Sequence, residues 1–505
     1  MLFRSVHNRV VVMLLCLTLI ATGSYAVTRV NVEAYPDPAP AIIGVAAIYP
    51  GASAEEVERQ VIVPMEVALA GMPGLKYTRS KAMFGLAYML NQFSYGVEFK
   101  DARQEVINRL SQVKFPAGVS PELVPASAVD EIYRYLLSSP KDALGRDIYT
   151  LYDLKALQDW TLERELRRIP RIAGITSCGG LLKRFEIQPD PDRLKKYGIT
   201  LQQLEDAIKS SNANVGGNMI VQGGNAQVIR GIGLIGGGED PMVHAASMSD
   251  PVEAAAYLRS EERRRIAEIR QIVITATNNV PIRVEHVVEG GPVHSEAELG
   301  KQGVVVGHHT RQGKISYAHP LWDEKGREVL TDGKRTIIDE DEKVQGIILL
   351  RKGEQSLPAL VAVREKIKEL NENPGVLLPG VKLEAFYDRT ALIDVTTETV
   401  QHNLLVGMVL VTVILLMFIS NVRTALIVAI NVPLALLFAF GVLFLRGRSA
   451  NLLSIGAVDF GIIVDSTVIM VENIYRRISS PTETSDEPLP ERVLRAAKEV
   501  ERSLF

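Results

Sequence analysis

The sequence predicts a membrane protein in which an α-helical bundle carries a large exported α+β region. Three observations lead there. Four apolar windows approach the roughly 20 residues that cross a bilayer. Between the first window and the other three, residues 28 to about 400 alternate between strand and helix patterns. The mean hydropathy of +0.11 is too high for an average soluble protein and too low for an all-membrane one.

The rest of the composition narrows the class. The chain has 505 residues, 47% hydrophobic and 23% charged, with a formal net charge of −3. A charge so near zero gives no reason to expect a nucleic-acid partner. Cys16 sits in the first apolar run and Cys178 in a distant polar region, so this is not a disulfide-built scaffold.

The first window is Val10 to Val27, behind the basic flank Arg4, His7 and Arg9. A cleavable leader is the rival reading, since Ser24 and Ala26 supply small residues at the right spacing. The anchor is preferred because later windows keep the chain in the membrane. The other windows are about Leu404 to Ser420, Thr424 to Leu445 (with Asn431 and Pro433 inside) and Leu452 to Val471. Arg4 and Arg9 place the N-terminus inside, residues 28 to about 400 outside, and Arg476 and Arg477 back in the cytoplasm.

In the exported region Ile42–Tyr49 reads as a strand closed by Pro50 and Gly51. Ser53 with Glu56 three residues on is a capping box for a helix buried along Val57, Val61, Met65 and Leu69. Strands Leu75–Met83 and Leu86–Phe99 and a helix from Asp101 to Val113 follow. This is the order of the ferredoxin-like split β-α-β unit. The pattern partly recurs: a helix at Leu154–Ile169, a hairpin at Gly174–Pro189 turning on Gly179 and Gly180, and a helix at Thr200–Ser211. After a gap come a strand at Gln345–Leu350, a helix at Leu357–Leu370 and a strand at Val381–Tyr387. Two related subdomains, the second interrupted, account for this, with Gly216–Gly237 as a hairpin excursion. Asp240–Arg265 reads as a solvated helix and Val306–Lys343 as a polar loop.

That loop holds His308, His309 and His319, which could bind a borderline metal. No cysteine or carboxylate spacing completes a site, so a solvated loop is the preferred reading. The twelve methionines are scattered and fit core packing. No phosphate-binding GxxxxGK[ST] loop is present and no hydrolytic constellation appears, so the chain is not read as an enzyme and no cofactor is expected.

The chemistry concentrates in the fourth window, where Asp459, Asp465 and Glu472 interrupt otherwise apolar sequence. At 1.5 Å per residue the two aspartates straddle the middle of the span. Asp465 and Glu472, seven residues apart, share a helical face, and Asp459 is turned about a third of the way round. A mid-bilayer carboxylate costs about 2.5–3.5 kcal/mol, so the pair costs about 6 kcal/mol. Desolvation raises a carboxyl pKa toward neutrality, which suits proton uptake and release. Gly456, Ala457, Gly461 and Ser466 keep the helix thin enough for a neighbour to approach. An inert polar pair bonded to other helices is the bland alternative. A proton relay is preferred for Asp465 and Asp459, whereas Glu472 beside Arg476 fits a solvated interfacial glutamate equally well.

These residues resemble the resistance-nodulation-division (RND) superfamily of proton-driven exporters, in its heavy-metal efflux branch of Cus and Czc type. The motifs are DFGIIVDSTVIMVEN at 459–473, PGASAEEVERQVIVPMEVALAGMPGLKYTRS at 50–80 and FYDRTALIDVTTETVQHNL at 386–404. MFISNVRTALI at 417–427 and YGITLQQLEDAIKSSNANVGG at 197–217 also fit. The acidic motif is the most specific, because drug exporters of the superfamily tend to pair adjacent aspartates.

The resemblance implies proton-driven efflux of heavy-metal cations across a bacterial inner membrane, with Asp459, Asp465 and Glu472 in the proton pathway. It implies a homotrimer working with a periplasmic adaptor and an outer-membrane channel. The expected parts are a membrane helix at 1–27 and a periplasmic porter and docking region at 28–400. The latter comprises subdomains at about 36–135 and 136–390, with insertions at 240–265 and 306–343. Three membrane helices at 401–472 and a cytoplasmic tail at 473–505 complete them. The two polar segments are longer than the family's connections. The tail stops where the family's next helix begins, so the second repeat is expected to be missing, with its partner helix and, in copper and silver pumps, a metal-binding methionine cluster. The metal is therefore not assigned. An exporter of organic compounds and a non-transporting membrane fragment are the competing expectations.

Overall fold

The structure is a computed structural model describing residues 8–30, 32–33, 40–124, 131–307, 313–321, 327–331, 333–419, 422–447, 450–451, 460–479 and 488–504. Two units emerge. One comprises Met1–Glu131, Lys352–Pro358 and Asp388–Phe505, and the other Ile132–Arg351 and Ala359–Tyr387.

In the first unit, four strands run in the order Leu75–Met83, Leu86–Phe93, Ile42–Ile48, Pro121–Val124. Each neighbouring pair is antiparallel, with Ala46 opposite both Tyr88 and Glu122. Numbered along the chain, this is the 4-1-3-2 order of the split β-α-β unit. Ser53 accepts from Glu56 N while the Glu56 carboxylate takes Ser53 N–H, so the expected capping box forms. The helix proceeds through Ala54–Val57, a π turn at Glu58–Ile62 and Val63–Leu69. Pro64 follows the π turn; it cannot donate the bond to Gln60 O that a regular α-helix requires. Val57, Val61, Met65 and Leu69 are fully buried, as the spacing predicts. Each contributes about 1.5–3 kcal/mol of burial. They pack with Val45, Met89 and Phe93 of the sheet and with Val106 of the second helix, Phe99–Leu110.

The same unit contains the long apolar helices. Arg9–Arg29 and Val422–Leu445 pack together. A Cβ at Gly23 would stand 2.6 Å from Leu437 Cβ, so only glycine admits this approach. Tyr25 meets Phe444 edge-on at 5.8 Å, and Ala26 and Val428 are buried. Among the described residues, two helical segments are long and apolar enough to cross a membrane, Val10–Arg29 and Leu426–Leu445. The window from Leu404 lies within the helix Arg389–Ile419. Of the fourth, residues 452–459 fall outside the described residues and the remainder is the start of the helix Phe460–Ser479.

The second unit repeats the first sheet's topology in the order Lys382–Asp388, Glu131–Ser138, Val344–Leu350, Ile172–Cys178. This is again 4-1-3-2. Its first crossover helix also opens on a capping box, Thr150 with Asp153, and also contains a π turn, Leu157–Leu162. The expected Gly174–Pro189 hairpin does not form. Ile172–Cys178 pairs antiparallel with Val344–Leu350, Cys178 opposite Gln345. Phe185–Ile187 pairs instead with Val304–Val306. Gly179 and Gly180, at φ +75° and +77°, turn the chain out of the sheet, and a Cβ on Gly179 would strike Lys343 O. The glycines thus open an insertion rather than close a hairpin.

The insertion has its own core, in which Ile199, Leu204, Ile266, Ile269, Val284, Val287 and Val304 are buried. The glycine-rich excursion is a hairpin, Val215–Gln222 against Asn225–Gly231, turning on Gly223 and Gly224. The expected solvated helix at 240–265 is two helices, Pro241–Ala246 and Pro251–Gln271. Asp240 and Asp250 cap them. Their charge-rich composition conceals a buried stripe of Ala254, Leu258, Ile266 and Ile269. The described part of the 306–343 segment forms short strand pairs, Tyr317–Pro320 with Ile337–Glu340 and Leu330–Thr331 with Lys334–Arg335.

Candidate functional site

The helix Phe460–Ser479 carries two of the three candidate acids, Asp465 and Glu472. Asp459 lies one residue before it, outside the described residues, while position 465 lies within its first two turns. Glu472 falls seven residues later, about 10.5 Å along the axis and nearly eclipsed with 465 by helical register. Its side chain is exposed to solvent, which fits an interfacial carboxylate.

A neighbouring helix supplies a polar group that sequence reasoning left without a role. Asn431, inside the apolar helix Val422–Leu445, donates from Nδ2 to Thr467 Oγ1 at 2.5 Å. Both residues are half-buried. Nothing in the sequence pairs them, because 36 residues separate them along the chain. The signal available was an amide and a hydroxyl each placed in an otherwise apolar window.

The far end of the acid-bearing helix is held by an amphipathic helix, Leu489–Leu504. Buried Asn473 donates to Ala496 O at 2.8 Å, and Arg476 donates to Asn473 Oδ1 at 3.2 Å. Arg477 pairs with Glu499 at 2.5 Å, and Arg492 donates to Ile478 O. Arg477, then Asn473, holds the Glu499 carboxyl below its ordinary range by hydrogen bonds. Of the two predicted cytoplasmic markers, Arg477 fastens the helices together, with Asn473 and Arg492, while Arg476 braces Asn473 from the same helix.

The histidines do not assemble a site among the described residues. His308 and His309 lie outside them. His319 stacks on Tyr317 at 5.3 Å and its Nδ1 lies 3.0 Å from Pro320 O. Among the described residues no group of three His, Cys, Asp or Glu side chains is disposed to hold a metal ion. The second unit contains a cavity of about 410 Å³ lined by Trp160, Phe185, Met242, Glu239 and Glu262 among others, with none of the predicted site residues in its wall.

Residues 1–299 and 329–505 match the AcrB/AcrD/AcrF family. The unmatched stretch coincides with much of the polar segment noted above. The cation efflux system protein CzcA of Alcaligenes sp. (strain CT14) is 32% identical over 99% of this chain and 42% of its own length. The cation efflux system protein CusA of Escherichia coli (strain K12) is 31% identical over 94% and 39% respectively. A crystal structure of a heavy metal efflux pump (crystal form II) superposes with a TM-score of 0.72 at 31% identity, covering 99% of this chain and 43% of that one. The chain thus spans less than half the length of the curated relatives it matches, and its fold is that of the RND efflux pumps. With both the sequence match and the superposition running through nearly all of its residues, the chain belongs to the AcrB/AcrD/AcrF family of RND exporters, among relatives named for heavy-metal efflux.

Proposed function

We propose that this chain is the proton-conducting N-terminal part of an exporter of heavy-metal cations, driven across a bacterial inner membrane by the proton-motive force. The observation that carries this is the spacing of Asp459, Asp465 and Glu472 in one apolar stretch of sequence, in a chain that aligns with CzcA over 99% of its length. A carboxylate in hydrocarbon binds its proton more tightly than in water, so it loads from one side and discharges when its surroundings change. Asp465 and Asp459 act as the intramembrane carriers, and Glu472 marks the cytoplasmic exit.

In this reading four helices cross the membrane: Arg9–Arg29, the apolar part of Arg389–Ile419, Val422–Leu445 and the stretch ending in Phe460–Ser479. Both chain ends face the cytoplasm. The two split β-α-β subdomains are porter domains in the periplasm, and the 179–343 insertion is the docking element. The transporter works as a homotrimer with a periplasmic adaptor and an outer-membrane channel, and a second repeat supplies the wall facing the acids.

The test is Asp465→Asn in cells that depend on this transporter. Loss of zinc, cobalt, cadmium, copper or silver tolerance and of metal-driven proton uptake is expected, with normal protein abundance. Unchanged tolerance and proton uptake would overturn the relay. A deletion strain sensitised to organic compounds but not to metals would overturn the cargo.

A further inference from the structure

We propose that the Asn431–Thr467 hydrogen bond is a positioning link that sets which way the acid-bearing helix is turned, and hence where Asp465 is presented; this rests on the relay reading above. Thr467 is two residues beyond Asp465, so helical register places the two about 200° apart around the axis. The face that meets Val422–Leu445 through Thr467 is therefore opposite the face bearing position 465. Rotating the helix by one residue (about 100°) would break the bond and swing position 465 toward Val422–Leu445. The bonds to Leu489–Leu504 hold the far end of the helix, but at the level of position 465 apolar side chains slide over one another with little directional preference. A directional N–H···O bond between two half-buried groups supplies that preference.

The partner helix makes the link more necessary. Pro433 lies inside Val422–Leu445, two residues past Asn431. It cannot donate to Ala429 O, so the helical ladder lacks a rung beside Asn431. A helix weakened at that level does not hold its own crossing geometry, and a bond to Thr467 at the same level restores it. Asn431 and Thr467 touch neither proton nor cargo in this scheme. They are positioning residues.

The experiment uses the transporter as the cell assembles it, in membrane vesicles, with zinc as the probe and proton uptake as the readout. Thr467→Val keeps shape and removes the hydroxyl. Turnover is expected to fall roughly tenfold with KM for zinc unchanged, since cargo binding lies elsewhere. Thr467→Ser, which keeps the hydroxyl, is expected to restore turnover. Asn431→Leu should match Thr467→Val, and the double variant should be no worse than either single one. If Thr467→Val fails to accumulate in membranes, Asn431→Leu provides the same reading. Unchanged turnover in both variants, additive losses, or failure of serine to restore would overturn the link. Asp465→Asn separates the two levels. If it leaves proton uptake intact the relay itself falls, and if it abolishes uptake while Thr467→Val does not lower turnover, only the positioning link falls.

Discussion

Lys183 sets its ammonium 3.1 Å from an oxygen of the Asp153 carboxylate, whose side chain is wholly shielded from solvent. Arg259 donates to the other oxygen, as does the Thr150 hydroxyl. Asp153 belongs to the crossover helix of the second split β-α-β subdomain, while Lys183 and Arg259 belong to the insertion that leaves its sheet at Gly179. One buried carboxylate thus fastens an inserted body to the subdomain that carries it.

Removing that carboxylate leaves Lys183 and Arg259 sharing one counter-charge, Glu262, at 3.1 and 3.2 Å. Lys183 and Arg259 stay partly exposed and keep Glu262, so Asp153→Ala is expected to cost about 1–3 kcal/mol, the scale for losing hydrogen bonds to a charged group. Urea denaturation reads it directly. The pH dependence has a definite sign. Burial opposes ionisation of Asp153, but Lys183, Arg259 and the Thr150 hydrogen bonds outweigh it and hold the carboxyl below its ordinary 3.8. The native state therefore favours the charged form. The resulting stability is present above pH 3.8 and is lost as pH falls through the depressed native value. No Asp153-dependent loss is expected between pH 7 and 5; finding one would refute the assignment.

How much of this was readable beforehand depended on whether the signal was local. The Ser53 capping box and the Val57–Leu69 stripe were legible because caps and helical periodicity act over a few residues. The first split β-α-β unit was legible from element order, and the second only in part, since its opening strand Glu131–Ser138 was not read. The Gly174–Pro189 hairpin misled because two glycines mark a turn without saying whether the chain returns; the true partner of Ile172–Cys178 begins beyond residue 340. The buried face of Pro251–Gln271 was hidden by its charges, which ring a narrow apolar stripe. At the candidate site, the acids and their spacing were visible, but Asn431–Thr467 and Asn473–Ala496 were not, since each joins residues far apart in the chain.

A second prediction concerns the core of the interrupted subdomain. Buried Tyr135 donates from its hydroxyl to Gln158 Oε1 at 2.8 Å, and burial pushes its phenol pKa upward. The ring lies where a Cβ on Gly346 would stand. Gly346→Val should cost about 1–3 kcal/mol by overpacking. Tyr135→Phe should cost about 1–3 kcal/mol for a different reason, since Gln158 Oε1 loses its donor inside the protein. Thermal unfolding of the two single variants and the double one tests the pairing. In contact, the effects should be non-additive, and strictly additive shifts would contradict the shared site.

Gly23 offers a third test, at the crossing of Arg9–Arg29 with Val422–Leu445. A Cβ there would meet Leu437 Cβ at 2.6 Å and Leu437 O at 2.9 Å. Backbone on one side and a Cβ on the other leave nothing flexible to yield. Gly23→Leu should therefore lower the thermal stability of the detergent-solubilised protein, by about 1–3 kcal/mol on the overpacking scale. Gly23→Ala should lower it less. Val27→Leu, at an exposed position of the same helix, should be neutral. A neutral Gly23→Leu would mean that the helices do not meet at this point.

The fastening of the amphipathic helix Leu489–Leu504 distinguishes two kinds of polar contact. Asn473 is buried, and its amide donates to Ala496 O at 2.8 Å and to Glu499 Oε2 at 3.4 Å. Arg477 and Glu499 form a shorter, charged contact, yet both side chains are more than 40% exposed. Exposed ion pairs are worth about 0–1 kcal/mol, because water solvates the separated charges nearly as well. A hydrogen bond made away from water contributes about 0.5–1.5 kcal/mol, and the buried Asn473 amide makes two. Asn473→Ala should therefore loosen this helix more than Glu499→Ala does, despite the larger formal charge of the latter. Amide hydrogen exchange across residues 489–504 reads the difference, with faster exchange expected in Asn473→Ala and near-native rates in Glu499→Ala. The opposite ranking would place the hold on this helix in the ion pair rather than in the buried amide.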